Sequence, residues 1–258
     1  MAASRGRKVG MTLIILLVAL SGLFVASDRL AAYAAERTIA AQAKKELVVR
    51  DITSPTDPKV AVDGFPFLTQ VARGRYEKIT IHVDRPTSQG ITLEALDVTA
   101  NGVNASTGAL VNGTGQITAD DITGTTSLGW ESVNKLMNTS GFGGSGATAS
   151  ALPDGQVRVR VPLSVANVST TLIATGNLTV AQGSVHLKIN NVETEGGGVL
   201  PAVISRLVGS IKQSLSVDIK IPRLPYNLAV RDVKASERGL AVTAVAANVP
   251  ISGSRAGS

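Results

Sequence analysis

The sequence predicts an α+β protein with an antiparallel sheet of one-sided strands. Apolar and polar residues alternate in short runs, at Ile79/Ile81/Val83, Ile91/Leu93, Leu96/Val98, Val157/Val159/Val161/Leu163, Val185/Leu187/Ile189 and Val217/Ile219/Ile221. A period of two with one apolar face is the mark of a strand covered on one side and wet on the other. Turn residues punctuate the runs: Arg85-Pro86, Gly102, Asn112-Gly113, Pro153-Asp154-Gly155, Gln182-Gly183 and Arg238-Gly239. One stretch then changes to the helical period. Leu200, Val203, Ile204, Leu207, Val208, Ile211 and Leu215 share one face of a helix over 199–215, with Pro201 in its first turn.

The first element is an export segment. Arg5, Arg7 and Lys8 precede fifteen uncharged residues, Thr12 to Ala26. A cationic start and a short apolar run match a signal peptide, and Val25-Ala26-Ser27 supplies small residues for cleavage. The competing expectation is an uncleaved signal-anchor. Either way residues 28–251 are expected outside the cytoplasmic membrane, in the periplasm or cell envelope. Residues 28–47 read as a helix capped by Ser27 or Asp28, with Lys44 and Lys45 at its end. A short helix is expected over 130–137. The Gly/Ser/Ala-rich segment 138–152 reads as a flexible loop within one domain, and 252–258 as a disordered tail.

Composition removes several chemistries. The 258 residues include no Cys, which excludes disulfides, thiolate nucleophiles and Cys-held metals. There are two histidines and eight aromatic residues, little for a His metal site or for stacking on bases. No metal or cofactor is expected. The formal charge is +6. Three of the 25 basic residues precede Asp28 and none of the 19 acidic ones does, so the remainder carries +3. That suits weak attraction to anionic headgroups and gives no basic tail for nucleic acid. Hydrophobic residues make up 44% of the chain against 17% charged, so apolar surface is in surplus.

No motif points to catalysis. Gly141–Gly146 has G-x-G-x-x-G spacing but lacks the strand and helix that a phosphate site needs. Asp120 and Asp121 are the one adjacent acidic pair, and strand neighbours point to opposite faces, so they cannot flank one glycosidic bond. His82 and His186 fall opposite the apolar faces of their strands. The unusual stretch is Val60–Gln70, which holds Phe65, Phe67 and Leu68 around Pro66, with Arg73, Arg75 and Lys78 following. It reads either as a core-sealing turn or as an apolar lip flanked by cations, suited to an anionic lipid. Ile221–Leu228, with two prolines, reads as a rigid connection to the final hairpin.

The order of these features resembles a known family. An exported helix is followed by V-x-G-F-P-F-L-T-Q at Val62–Gln70, a basic segment and strand at Arg73–Val83, I-P-R-L-P-Y-N-L at Ile221–Leu228 and R-G-L-A-V-T at Arg238–Thr243. The chain is similar over about residues 28–251 to the LmeA-like actinobacterial envelope proteins. The resemblance implies a tubular lipid-binding-like fold, a long curved antiparallel sheet wrapped around an apolar helix. It implies binding of phospholipid, phosphoinositide included, and support of lipomannan and lipoarabinomannan maturation at mannan elongation. It carries no catalytic motif. The residues expected at a lipid cavity are Phe65, Phe67 and Leu68 at its lip and Leu200, Val203, Ile204, Leu207, Val208 and Ile211 in its lining. Arg73, Arg75 and Lys78 are expected at the headgroup or membrane surface. Expected partners are phospholipid, a membrane surface and an envelope glycosyltransferase. The rivals are a glycan-active enzyme on lipid-linked mannan and a β-rich envelope scaffold.

Overall fold

The computed structural model describes residues 3–106, 108–109, 115–139, 146–165, 168–195, 216–219 and 228–251. It is α+β, with a large antiparallel sheet. Helix α1 (Ala3–Val49) is unbroken. It therefore runs through Ser27 and Asp28, which do not cap a separate helix as expected. The Ala-rich sequence offers no breaker there, so the apolar run and the following residues propagate as one helix. At 1.5 Å per residue its 47 residues extend about 70 Å.

The first sheet is a meander with a detour. Strands β1 (Lys59–Asp63), β2 (Arg75–Asp84), β5 (Ala95–Asn104) and β6 (Thr118–Gly129) pair in turn. Helix α2 (Phe67–Arg73) joins β1 to β2, and a small hairpin, β3 (Thr87–Ser88) with β4 (Ile91–Thr92), precedes β5. The chain then leaves through helix α3 (Trp130–Thr139). It builds a second sheet from β7 (Thr148–Ala151), β8 (Val157–Val165), β9 (Val168–Ala181), β10 (Ser184–Thr194) and β11 (Ser216–Ile219), each paired with the next. It returns as β12 (Ala229–Ser236) and β13 (Gly239–Pro250), and β13 pairs with β6. Strand β7 lies inside the segment expected to be loop. Ala147 and Ala149 are buried, so small side chains there pack rather than loosen the backbone. The helix expected over 199–215, and with it Leu200, Val203, Ile204, Leu207, Val208 and Ile211, lies outside the described residues, as does Ile221–Asn227 and the 252–258 tail.

The expected alternation holds across the whole first sheet. Its register aligns Val62, Ile79, Ala100, Ile122 and Ala246 in one row, and Val60, Ile81, Val98, Gly124, Ala244 and Val230 in the next. A third row holds Val83, Leu96, Thr126, Val242 and Val233. The opposite face is mainly polar: one row runs His82–Asp97–Thr125–Thr243, and another holds Thr80, Thr99 and Thr123 between Ala61 and Val245. The apolar face is covered at the β1 end by α1 and α2, where Ala31, Ala32, Ala35 and Ile39 let the helix approach closely. At the β12 end the second sheet covers it. Leu128, Ala235 and Leu240 pack with Val157, Val159 and Leu187, and Val230 and Val233 pack with Val185.

The rows also reveal a bend. Moving toward β1's loop end, the next inward residues are Tyr76, Val103, Ala119 and Val249, three positions from Ile79, Ala100, Ile122 and Ala246 rather than two. Four neighbouring strands thus switch phase together. The backbone does it at Gly102 (φ 58°) and Asn248 (φ 52°). Gly102 is therefore not a turn, as expected, but a kink inside β5. Only glycine and, less readily, asparagine take this left-handed conformation at low cost. A Cβ on Gly102 would also overlap the Asp120 carboxylate. We predict that Gly102→Ala lowers stability by about 1–3 kcal/mol, read as a shift of the urea midpoint at unchanged slope.

Candidate functional site

Two surfaces qualify, and the residues of the G-F-P-F-L-T-Q stretch build the first. Gly64 turns the chain out of β1 at φ 101°, a conformation and a space that exclude a side chain, since a Cβ would lie 2.6 Å from the Gln70 amide nitrogen. Phe67 then points inward. It is 5% exposed and stacks obliquely on Tyr76, with ring centres 6.2 Å apart. Gln70 is buried and works as a clasp: its Nε2 donates to Asp63 O at 3.1 Å, and its Oε1 accepts from the Glu77 N–H at 2.8 Å. It ties the end of β1 to the start of β2. Gly74, at φ 64°, ends α2 and donates to Gln70 and Val71 carbonyls.

Phe65 and Leu68 point outward, 58% and 37% exposed. The three residues expected at the lip therefore divide, with Phe67 in the core and the other two at the surface. The stretch thus seals the core through Phe67 and leaves Phe65 and Leu68 at the surface.

The residue that fixes this turn is Asp28 of α1. Its side chain is fully buried, and Oδ1 accepts the Leu68 N–H at 2.8 Å. No side chain within α2 caps that helix, so a carboxylate from another helix supplies the acceptor. Arg29 pairs with Asp28 Oδ2 at 2.6 Å, donates to the Gly64 carbonyl at 3.3 Å and lies over the Phe65 ring at 5.3 Å. Burial works to raise the Asp28 pKa, but the Leu68 N–H, the Arg29 guanidinium and the Phe67 N–H together outweigh it. The pKa falls below the ordinary carboxylate value of 3.8. Further along α1, Glu36 accepts the Val62 N–H at 3.0 Å and so occupies the open edge of β1. Arg29 and Glu36 were not singled out in the sequence, and Asp28 was expected to cap its own helix rather than α2; adjacency of the Asp28-Arg29 pair to the end of the apolar run was the available signal.

The expected cations sit at the surface in different states. Arg75 pairs with Asp120 at 2.6 Å and also donates to Asn104, and Lys78 pairs with Asp63 at 2.7 Å. Arg73 is exposed in the last turn of α2. Exposed pairs of this kind contribute no more than about 1 kcal/mol, so an anionic group competes for them readily. Asp121 accepts from Asn101 Nδ2 at 2.8 Å, and both carboxylates of the acidic pair lie outside the core. His82 is on the polar face with Nδ1 2.7 Å from Asp97.

The second surface is the middle of the inner sheet face. Between the two covered ends, Ile81, Leu96, Val98 and Val242 are only half-buried. Central strands of a sheet ordinarily bury such residues fully on one face. Among the described residues, the cover over these four side chains is incomplete, although Val98 and Val242 still touch the neighbouring core clusters.

These features define an α+β sheet protein with a wet outer face, an apolar inner face and an N-terminal apolar helix of the signal or anchor kind. A family model described as LmeA-like phospholipid-binding matches residues 26–245, and the chain belongs to that family. The match opens at Ala26, so it takes in Asp28 and leaves the apolar run before it outside. No curated protein and no solved structure matches the chain.

Two outcomes follow from this geometry. Phe67→Ala should cost about 3–5 kcal/mol and Phe65→Ala less than about 1 kcal/mol in chemical denaturation, because only Phe67 is packed. Asp28→Asn should lower the melting temperature at neutral pH. A depressed carboxyl pKa stabilises above the unfolded value and is lost as pH falls through the folded one. The gap between wild type and Asp28→Asn should therefore close as pH drops below about 4.

Proposed function

We propose that the chain is a noncatalytic phospholipid-binding protein of the cell envelope that holds acyl chains against the inner face of its first sheet. The observation that carries this is the apolar inner face, whose longest row runs Val60–Ile81–Val98–Gly124–Ala244–Val230 from β1 to β12, and which is only partly buried at Ile81, Leu96 and Val98. Each acyl CH₂ moved from water to such a surface contributes about 0.8 kcal/mol. A headgroup pair at a wet rim contributes roughly 0.2–1 kcal/mol. Chain length therefore dominates affinity, and Arg73, Arg75 and Lys78 tune headgroup choice toward anionic lipids such as phosphoinositides. The helix expected over 199–215, with Leu200, Val203, Ile204, Leu207, Val208 and Ile211 on one face, completes the lining in this account.

Family membership supports the lipid, and the sequence resemblance extends the proposal to its setting. There the protein supports lipomannan and lipoarabinomannan maturation at mannan elongation, beside an envelope glycosyltransferase. The glycan-active alternative gains nothing from Asp120 and Asp121, whose carboxylates already engage Arg75 and Asn101.

Native mass spectrometry of the full chain purified in mild detergent tests the lipid-binding core of this. Phospholipid adducts should be present on the wild type and strongly reduced in Val98→Asp, which puts a charge on the partly buried row. A wild type that takes up no phospholipid after delipidation and re-exposure contradicts the proposal. For the setting, cells lacking the protein should accumulate lipomannan with shortened mannan; unchanged mannan length removes that part alone.

A further inference from the structure

We propose that the Phe65–Leu68 turn and the outward face of α1 beside it form one membrane-docking surface. It rests on the headgroup layer of the same bilayer that the Met11–Ser27 stretch crosses. The purpose of such a surface rests on the lipid-binding reading; its geometry does not.

The placement follows from α1. The helix is long and apolar enough to cross a membrane. Every large apolar side chain from Met11 to Val25 is 44–67% exposed, and packing against the sheet begins only at Asp28. Seventeen residues, Met11 to Ser27, extend about 25 Å, a little short of a hydrocarbon core of roughly 30 Å. A short span draws the residues flanking it toward the acyl boundary. Asp28 and Arg29 are the first flanking residues, and they are the two that grip the turn, through the Leu68 N–H, the Gly64 carbonyl and the Phe65 ring. Phe65 is thereby held at the level where the helix leaves the membrane.

The chemistry of the surface fits that level. Leu30 is 70% exposed and Tyr33 53%, on the same outward face as Arg29 and Arg37. Arg37 lies 4.8 Å from the Tyr33 ring centre, a second arginine-on-ring contact beside that of Arg29 over Phe65. Aromatic rings with arginines whose stems lie along apolar surface suit the headgroup zone, where one end is greasy and the other wet. Arg5, Arg7 and Lys8 before the span place the N-terminus in the cytoplasm and the sheet on the far side. A lipid at the outer leaflet then meets Phe65 and Leu68 without leaving the bilayer surface.

The test uses the full chain in vesicles of phosphatidylcholine and phosphatidylglycerol, with and without bromine on the acyl chains. Trp130, the one natural tryptophan, packs with the second sheet and serves as the reference. Phe65→Trp should add emission that is blue-shifted and largely lost in brominated vesicles, while wild-type emission stays unquenched. Adding Asp28→Ala should return the residue-65 signal toward the wild-type response, since the anchor remains but the grip is gone. A Trp at 65 as unquenched as Trp130, or quenching unaltered by Asp28→Ala, overturns the proposal. So does equal quenching of the wild type. Phospholipid retained by the same preparations, counted by native mass spectrometry, separates the two ideas. Retained lipid with an unquenched residue 65 removes the docking surface alone; quenching without retained lipid removes lipid binding alone.

Discussion

The structure turns on keeping one face of the six-stranded sheet dry. Three rows made mainly of Val, Ile, Leu and Ala cross it, one of them from β1 to β12, while the reverse side is mostly polar, with threonine, aspartate and histidine along its middle. Such a sheet is unstable alone, because its apolar side must leave water somewhere. The protein supplies cover at both ends from unrelated parts of the chain, a helix from the N-terminus and a second sheet inserted between β6 and β12. Between them, among the described residues, Ile81, Leu96, Val98 and Val242 are only partly buried, while the large exposed apolar side chains lie mostly on α1. The phase switch at Gly102 and Asn248 matters to this, since it turns Tyr76, Val103, Ala119 and Val249 back onto the covered side.

Asp28 links that fold to its surroundings. A buried carboxylate is costly unless its oxygens are bonded. Here two backbone N–H groups and Arg29 satisfy it. The consequence is mechanical. An apolar helix, a surface-exposed phenylalanine and the edge of the sheet become one rigid unit, since Glu36 secures β1 and Gln70 secures β2 to the same turn.

Much of this was legible in the sequence. Period-two runs located β2, β5, β8 and β10 because each strand has one solvent face, and Gln182-Gly183 marked the β9–β10 hairpin because both residues take positive φ. The Val60–Gln70 stretch stood out for its density of Phe, Pro and Leu. Period alone could not divide Phe67 from Phe65, since which ring turns inward depends on where Tyr76 lies in β2. Nor could it reveal Asp28 as the cap of α2, an acceptor forty residues away in sequence. Gly102 reads equally as a turn or a kink until its neighbours in β2 and β6 are known. Strand β7 escaped because Ala and Ser carry weak β signals and are placed there by burial of Ala147 and Ala149.

The most direct measurement of the central claim is photo-crosslinking with a phospholipid bearing a diazirine near the end of one acyl chain, followed by peptide mapping. The account predicts label on the inward residues of β2 and β5, around Ile81, Leu96 and Val98, and none on Thr80, His82 or Thr99 of the outer face. Label confined to the outer face, or to the apolar stretch of α1 alone, would contradict it.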